Sequence, residues 1–301
     1  MGHRTPSGGF FTPLRYPGGK GKLASYVANV IRLNDLVGGT YVEPYAGGAG
    51  VALELLLTGV VRRIHINDLN PSVHAFWEAV LFDTDRLCSR IRQARVSMTT
   101  WRIQRDILAA EDPDPLDLAF ATFFLNRTNR SGILEAGVIG GQNQDGLYKI
   151  DARFNKSNLI DRIESIALQK SRIRLYNEDA ERLVRRLAPS LGTKCLLYFD
   201  PPYFVKGQDL YLNHYQPKDH MHIQRTIAAL PKHLYWMVSY DNHPEIAKLY
   251  RKFDQLTYSL NYTAQMRYRG SEIIMFSKNL TPPAPVRPMQ HTRFISGRRA
   301  A

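Results

Sequence analysis

Paired cysteines, clustered histidines and long apolar runs are all missing from this sequence. Its 301 residues include two cysteines, Cys88 and Cys195, and no CxxC pair, which excludes a disulfide framework and a thiolate metal site. The nine histidines show neither an HExxH motif nor a paired Cys/His spacing, so we expect no metal. Because no run of roughly 18 or more apolar residues occurs, we expect no transmembrane helix. Residues 1–13 lack the apolar segment of a secretory signal, so we expect a cytoplasmic location.

Acidic residues are scarce relative to basic ones. The chain carries 40 Lys and Arg against 27 Asp and Glu, which gives a net charge of +13 and a pI of about 9.8. An excess of this size favours a polyanionic partner, most simply nucleic acid. A basic surface without a specific partner is the alternative.

Strand and helix patterns alternate from residue 14 onward, which predicts an open α/β sheet. The first elements, in chain order, are a strand at 40–44, a glycine-rich turn at 46–50, a helix at 50–58, a strand that ends at Asp68, and a helix from Asn70–Pro71 to about Leu81. Strand, helix and strand joined by short connections form the βαβ unit of a parallel sheet.

The same alternation resumes near the other end of the chain. "RIRLYNEDAERLVRRL" predicts a strand and a helix, while "CLLYFDPPY", "HLYWMVSYDN" and "EIIMFSK" predict three strands, the last at an edge of the sheet. The intervening stretch is rich in arginine and glycine loops, which is typical of an inserted, mostly helical lobe. We therefore expect an N-terminal arm at 1–13, a catalytic domain at 14–82 and 172–280, an inserted recognition domain at 83–171, and a disordered basic tail at 281–301.

The glycine turn "EPYAGGAG" has the features of a nucleotide-binding turn. Gly47 and its neighbours allow a ligand to approach the backbone, and Asp68 ends the next strand, where an acid binds ribose hydroxyls. Glu43 would repel a pyrophosphate and accept hydrogen bonds from an amino group, which favours S-adenosylmethionine over NAD. The nearby "RYPGGKGKL" lacks the spacing of a phosphate-binding loop, so Lys20 is expected to pair with a carboxylate. A tight turn without a ligand is the alternative.

The stretch "YFDPPY" places a carboxylate and an aromatic ring around a rigid hinge. Pro201 and Pro202 fix the backbone and remove two donors. Asp200 and a hinge carbonyl can then accept both hydrogens of one amino group, and Tyr203 can stack on a base. Two such acceptors would localise the lone pair of adenine's exocyclic amine and aim it at an activated methyl group. A proline-stiffened loop with a core tyrosine is the alternative.

The motifs "RYPGGK", "VEPYAGGAG", "IND", "LNRTNRSGIL" and "YFDPPY" occur in the order seen in DNA adenine methylases of the Dam type, and residues 14–280 resemble that family. The resemblance implies a Rossmann-like methyltransferase sheet with an inserted target-recognition domain. It implies methyl transfer from S-adenosylmethionine to N6 of a flipped-out adenine in double-stranded DNA. By resemblance, Tyr16, Lys20, Asp68 and Asp200 would bind the cofactor. Glu43 and Gly47 of the glycine turn are expected to join them, as is Tyr45, which replaces the Phe that the family often has. The catalytic group would be Asp200, Pro201, Pro202 and Tyr203.

Basic and amide residues of the inserted stretch are the candidates for DNA contact. Arg127, Asn129 and Arg130 lie in the polar loop, where arginine can read guanine and asparagine can read adenine. The phosphate surface would be extended by Lys149, Arg153 and Lys156. In "NRTNRSGIL", a position that holds an aromatic wedge in the family is Arg130 here.

Three other interpretations stay open from sequence. The same chemistry could act on RNA or a protein amide, although "NRTNRSGIL" argues for DNA. An inactive relative could bind DNA without turnover, which Asp200 and Tyr203 argue against. A dinucleotide dehydrogenase is disfavoured by Glu43.

Overall fold

The computed structural model describes residues 11–15, 23–204, 215–261, 269–286 and 289–297. Its strands are Thr40–Glu43 (β1), Arg63–Asn67 (β2), Ile173–Tyr176 (β3), Cys195–Phe199 (β4), Tyr235–Asp241 (β5), Asp254–Asn261 (β6), Arg269–Phe276 (β7) and Gln290–Ile295 (β8). They form one eight-stranded sheet in the order β3-β2-β1-β4-β5-β7-β6-β8. Strands β1 to β5 pair in parallel, and β7, β6 and β8 add antiparallel pairings. The predicted α/β sheet is confirmed.

Helices connect the strands and cover both faces of the sheet. They are Ala24–Leu33 (α1), Gly50–Leu57 (α2), Pro71–Phe82 (α3), Thr84–Gln93 (α4), Met98–Ala109 (α5), Pro115–Thr128 (α6), Lys156–Ala167 (α7), Ala180–Leu187 (α8), Pro217–Ala228 (α9) and Pro244–Leu249 (α10). Helix α3 begins as predicted, because the Asn70 side chain accepts from Ser72 N and Pro71 occupies the first turn. Within the described residues, no helix is both long and apolar enough to cross a membrane.

Two apolar clusters lie on opposite faces of the sheet. Neighbouring strand residues alternate between them, as Tyr41 and Val42 do. The larger cluster also contains Phe123 of α6 and Ile163 of α7 together with Leu53 of α2. The helices of residues 83–171 therefore share the core of the sheet and do not enclose a separate one.

Two predictions for the carboxyl-terminal end are wrong: the place of one strand in the sheet and the disorder of the tail. "EIIMFSK" was predicted at an edge, but β7 lies between β5 and β6, where residues 272–277 are buried. An unbroken buried run is what a strand covered on both faces requires. The tail at 281–301 was predicted to be disordered, yet residues 290–295 form β8 and pair with β6. An edge strand of this kind is held by backbone pairing while residues 292–295 stay exposed, so its sequence carries little apolar periodicity.

Candidate active site

Four acids collect at the edge of the sheet where the parallel strands end. Glu43 closes β1, Asp68 follows β2, Asp200 follows β4 and Asp241 closes β5. Glu272 joins them from β7, since its backbone pairs directly with Asp241. Carboxyl ends of parallel strands form the usual ligand crevice of an open α/β sheet, so the sequence-predicted cofactor and catalytic acids meet at one edge.

Asn67 ties three strand ends together, and sequence reasoning missed it. Its Nδ2 donates to Pro44 O at 2.9 Å and to Glu178 O at 3.0 Å, and its Oδ1 accepts from Glu178 N at 3.0 Å. The side chain is buried. Because Pro44 follows β1 and Glu178 follows β3, one amide fixes the loops on both sides of β2. The motif "IND" contained the signal, but only its acid was interpreted.

Two residues of the glycine turn have a left-handed backbone conformation. Gly47 and Ala49 both have φ of +48°, a conformation that glycine tolerates best. The turn is fixed from two sides, since Trp77 Nε1 donates to Gly47 O at 2.8 Å and Thr12 Oγ1 donates to Gly48 O at 2.5 Å. Gly47 N donates to Asp68 Oδ2 at 2.8 Å, so the two predicted nucleotide-binding elements touch each other.

Burial is the main influence on the pKa values of Glu43 and Asp68, the two acids that the sequence predicts to bind the cofactor. Asp68 also accepts from Asn70 N at 2.9 Å, but burial outweighs both amide bonds and raises its pKa to about 6. Glu43 is 4% exposed, and burial, followed by the charge of Asp200, holds its pKa well above the ordinary range. Ala52 N donates to the Glu43 carboxyl, whereas Glu43 Oε2 is buried with no hydrogen-bond partner among the described residues.

The remaining predicted cofactor residues are Tyr45 and, in "RYPGGK", Tyr16 and Lys20. The Tyr45 hydroxyl lies 2.7 Å from the Tyr215 hydroxyl, and the two rings meet edge to face at 6.2 Å. Tyr45 is half-buried at the glycine turn, and its role in cofactor binding stays a prediction. The predicted cofactor residues Tyr16 and Lys20 lie outside the described residues.

The segment after β4 is pinned to the sheet at successive residues. Ser239 Oγ donates to Asp200 Oδ1 at 2.7 Å, and Tyr198 OH lies 2.8 Å from Ser239 Oγ. Asp200 is half-buried, Pro201 and Tyr203 are buried, and Pro202 is half-buried. The Tyr203 hydroxyl donates to Glu272 Oε1 at 3.1 Å. The carboxylate and the ring are therefore held by β5 and β7 at the edge that also carries the glycine turn.

A family model for D12 class N6 adenine-specific DNA methyltransferases matches residues 16–264. The chain belongs to this family. The Type II methyltransferase M.MjaIII of Methanocaldococcus jannaschii is 22% identical over 256 residues, covering 80% of this chain and 80% of that protein. Among solved structures, the rRNA methyltransferase aviRa from Streptomyces viridochromogenes matches with a TM-score of 0.37 and 14% identity, over 88% of this chain and 86% of that chain. A TM-score this low carries no argument about function.

The DNA-contact candidates of the methyltransferase divide by exposure. Arg130, Lys149 and Arg153 are exposed, and the Arg153 guanidinium lies 5.7 Å from the centroid of the Tyr148 ring. Lys149 Nζ donates to Gln144 O at 2.6 Å. Lys156 is half-buried and donates to Arg92 O at 2.9 Å, so part of its role is to join α4 to α7.

The side chains of Arg127 and Asn129 make hydrogen bonds within the protein. The Asn129 side chain is 0% exposed; its Oδ1 accepts from Trp101 Nε1 at 2.7 Å and its Nδ2 donates to Leu134 O at 2.7 Å. The prediction that Asn129 reads a base is therefore wrong for this conformation, because the amide already holds its own loop. Arg127 is half-buried and donates through Nε to Arg153 O at 2.7 Å. Burial, then the charges of three neighbouring arginines, lowers its pKa to about 9.

Residues 12–15, which we call the strap, join the glycine turn to the inserted helices. Besides the Thr12 bond to Gly48, Arg162 donates to Thr12 O at 3.0 Å. Asn126 of α6 accepts from Arg15 N and donates to Arg15 O, each at 2.7 Å. Asn126 also donates to Gly132 O at 2.8 Å. The strap thereby links the loop that follows α6 to the glycine turn, a link that no local sequence pattern indicated.

Proposed function

We propose that this methyltransferase uses S-adenosylmethionine to methylate the N6 amine of an adenine that is flipped out of double-stranded DNA. One juxtaposition carries the proposal: the Asp200 carboxylate, oriented by Ser239, stands beside a rigid Pro201–Pro202 hinge and the Tyr203 ring. The same sheet edge holds the glycine turn and Asp68. Family membership supplies the reaction and the DNA substrate, and the residue roles are the proposal.

The residues at the carboxyl edge fit a positively charged nucleoside. Glu43 offers a buried carboxyl oxygen without a partner among the described residues, which suits an amino group. Asp68 suits ribose hydroxyls, because ionised carboxylates accept several hydrogen bonds. Gly47 lets a ligand approach the turn, and Tyr45 borders it. A pyrophosphate would meet repulsion from these acids, which argues against a dinucleotide.

The chemistry asked of the chain is orientation and electrostatic stabilisation. S-adenosylmethionine, when bound, supplies a methyl group on positively charged sulfur. Asp200 and the carbonyl of Pro201 accept the two N6 hydrogens, so that the nitrogen lone pair points away from the base plane toward the methyl carbon. Tyr203 stacks on the base and holds it there. Acceptors that strengthen their bonds during transfer are worth about 3 kcal/mol each.

The DNA surface is proposed to lie on the loops after α6, within the recognition segment at 83–171. Arg130, Lys149 and Arg153 are exposed there and suit phosphate oxygens. The strap supports this assignment, because Asn126 and Arg15 bring the base of these loops next to the glycine turn. Flipping costs a few kcal/mol of stacking, which phosphate contacts by these residues can offset.

The test is to express the chain in a host that lacks adenine methylation and to quantify N6-methyladenine in digested genomic DNA. Wild type is expected to introduce the mark, and Asp200→Ala to lower it at least about a hundredfold, the loss typical of a removed transition-state contact. Asp161→Ala is the matched control, since Asp161 is exposed on α7, and full methylation is expected from it. Circular dichroism of each purified variant checks that it is folded.

The outcomes separate the rivals. DNA without the mark but with methylated RNA or protein would favour the other amide and amine substrates. Binding of DNA without transfer to any substrate would identify an inactive relative. Full methylation by Asp200→Ala would remove Asp200 from the mechanism.

A further inference from the structure

Glu272 is a buried acid that faces the catalytic segment from the antiparallel part of the sheet. It is 2% exposed and lies on β7, a strand whose start reaches the carboxyl edge of the parallel strands. Its Oε1 accepts from the Tyr203 hydroxyl at 3.1 Å, and its Oε2 accepts from the Tyr258 hydroxyl at 2.6 Å. Burying a carboxylate is costly unless donors surround it, and here two of the donors are phenols.

Glu272 and its cross-strand neighbour Asp241 accept hydrogen bonds from two consecutive residues, Tyr203 and Phe204. Asp241 of β5 pairs directly with Glu272, so their side chains lie on the same face of the sheet. Asp241 Oδ1 accepts from Phe204 N at 2.9 Å, while Glu272 accepts from the preceding residue, Tyr203. Two steps back along β5, Ser239 holds Asp200. One row of sheet residues thus fixes the whole segment from Asp200 to Phe204.

Placing like-charged acids opposite each other is unfavourable in an antiparallel pair. A Leu or Thr at 272 would pack in the sheet without that repulsion, as the apolar neighbours Ile273 and Ile274 do. Such an apolar residue could not accept from the Tyr203 hydroxyl, so the contact with this ring is the feature that distinguishes Glu272 from its neighbours on β7.

We propose that Glu272 is a positioning residue that fixes the Tyr203 ring against the target adenine and makes the ring face more electron-rich. This rests on the proposed function. During transfer the N6 lone pair forms the new bond to carbon and the electrons of the broken sulfur–carbon bond stay on sulfur. The positive charge thereby passes to the adenine, which later loses a proton to water. A phenol that donates to a carboxylate presents a more negative face to that cation, which strengthens a cation–π contact.

The experiment is a double-mutant cycle on single-turnover methylation of duplex DNA, with purified protein in excess and S-adenosylmethionine saturating. Tyr203→Phe keeps the ring and removes the hydroxyl, and Glu272→Ala removes its acceptor. We expect each to slow the methylation step about tenfold, with DNA affinity nearly unchanged. We expect the double variant to be no slower than Tyr203→Phe alone, because Glu272 acts through the hydroxyl.

Two further variants separate positioning from stability. Tyr258→Phe removes the Tyr258 hydroxyl that donates to the same carboxylate; we expect a lower melting temperature but a rate within about twofold of wild type. Glu272→Gln keeps an acceptor and loses the charge, and we expect an intermediate rate, which also serves if Glu272→Ala does not fold.

Equal slowing by the Glu272 substitution in the presence and absence of the Tyr203 hydroxyl would overturn the assignment and leave the proposed function standing. So would a Tyr258→Phe rate as low as that of Tyr203→Phe. Absence of methyl transfer by wild type would overturn the proposed function and the assignment together.

Discussion

The pKa of Asp68, a proposed cofactor residue, reflects two opposed influences. Amides of Gly47 and Asn70 favour its charged form, yet burial raises its pKa from 3.8 to about 6. Because the folded pKa is raised, the stability that this group contributes is present below about pH 4 and is lost as pH rises through about 6. Near neutral pH the carboxylate is ionised and able to accept ribose hydroxyls.

Cofactor binding is expected to weaken as pH falls below about 6, because a protonated Asp68 accepts fewer hydrogen bonds. Calorimetric titration of S-adenosylmethionine should show affinity falling about tenfold between about pH 7 and about pH 5. Asp68→Asn should bind more weakly throughout and lose this pH dependence. A variant that keeps the full dependence would assign the titration to another group, with Glu43 the first alternative.

Residues at strand ends were the ones that sequence could identify. Asp68, Asp200 and Tyr203 follow apolar runs, so a local pattern placed them at the sheet edge. Asn67 ends β2 and Glu272 lies within β7, and their decisive contacts join residues 111 and 69 positions apart. Nothing local to a strand specifies such a partner.

At the scale of elements, one buried side chain, Asn126, joins the strap to α6. Asn126 is 3% exposed and makes three bonds, two of them to the N–H and the carbonyl of Arg15. The Asn126 amide therefore pairs with the backbone of the strap as a neighbouring strand would. Its removal would leave buried backbone groups unpaired.

Asn126→Ala is expected to lower the free energy of unfolding by about 3 kcal/mol, since an unsatisfied buried group costs about 1–3 kcal/mol. Urea unfolding with an unchanged slope would report it as a lower midpoint. Asn29→Ala is the matched control: Asn29 on α1 makes an exposed bond to Arg32, and its loss should cost at most about 0.5 kcal/mol. Equal midpoints for both variants would contradict the role given to Asn126.

Elements in the first βαβ unit were predictable and those at the far edge were not. The glycine turn, the Asn70–Pro71 start of α3 and the β4 run each carry a local signal. Strand β6 had no counterpart in the prediction, and β8 was assigned to a disordered tail. Both strands depend on backbone pairing with a neighbouring strand, and apolar and polar residues alternate only weakly along them. Their sequences alone therefore do not predict that they form strands.

The charge of the whole molecule is +13, but its location matters for DNA binding. Exposed Lys149 and Arg153 lie on the loops after α6. Arg127, which donates to Arg153 O at 2.7 Å, also donates to Pro13 O of the strap at 3.4 Å. Arg251 and Lys252 are equally exposed and precede β6, whose first residue pairs with Phe276. Since Phe276 also pairs near the start of β5, these two cations lie at the opposite edge of the sheet.

Replacing Lys149 and Arg153 by alanine should weaken duplex binding and reduce the slope of log affinity against log salt by about 2, because each phosphate contact contributes about 0.9. Fluorescence anisotropy with a labelled duplex over a salt series measures the slope. The Arg251→Ala, Lys252→Ala double variant removes the same charge and should leave the slope unchanged. Adding Lys156→Ala to the first pair should change the slope little, because Lys156 is half-buried whereas Lys149 and Arg153 are exposed. Identical slopes for the two double variants would mean that net charge, and not the loops after α6, attracts the DNA.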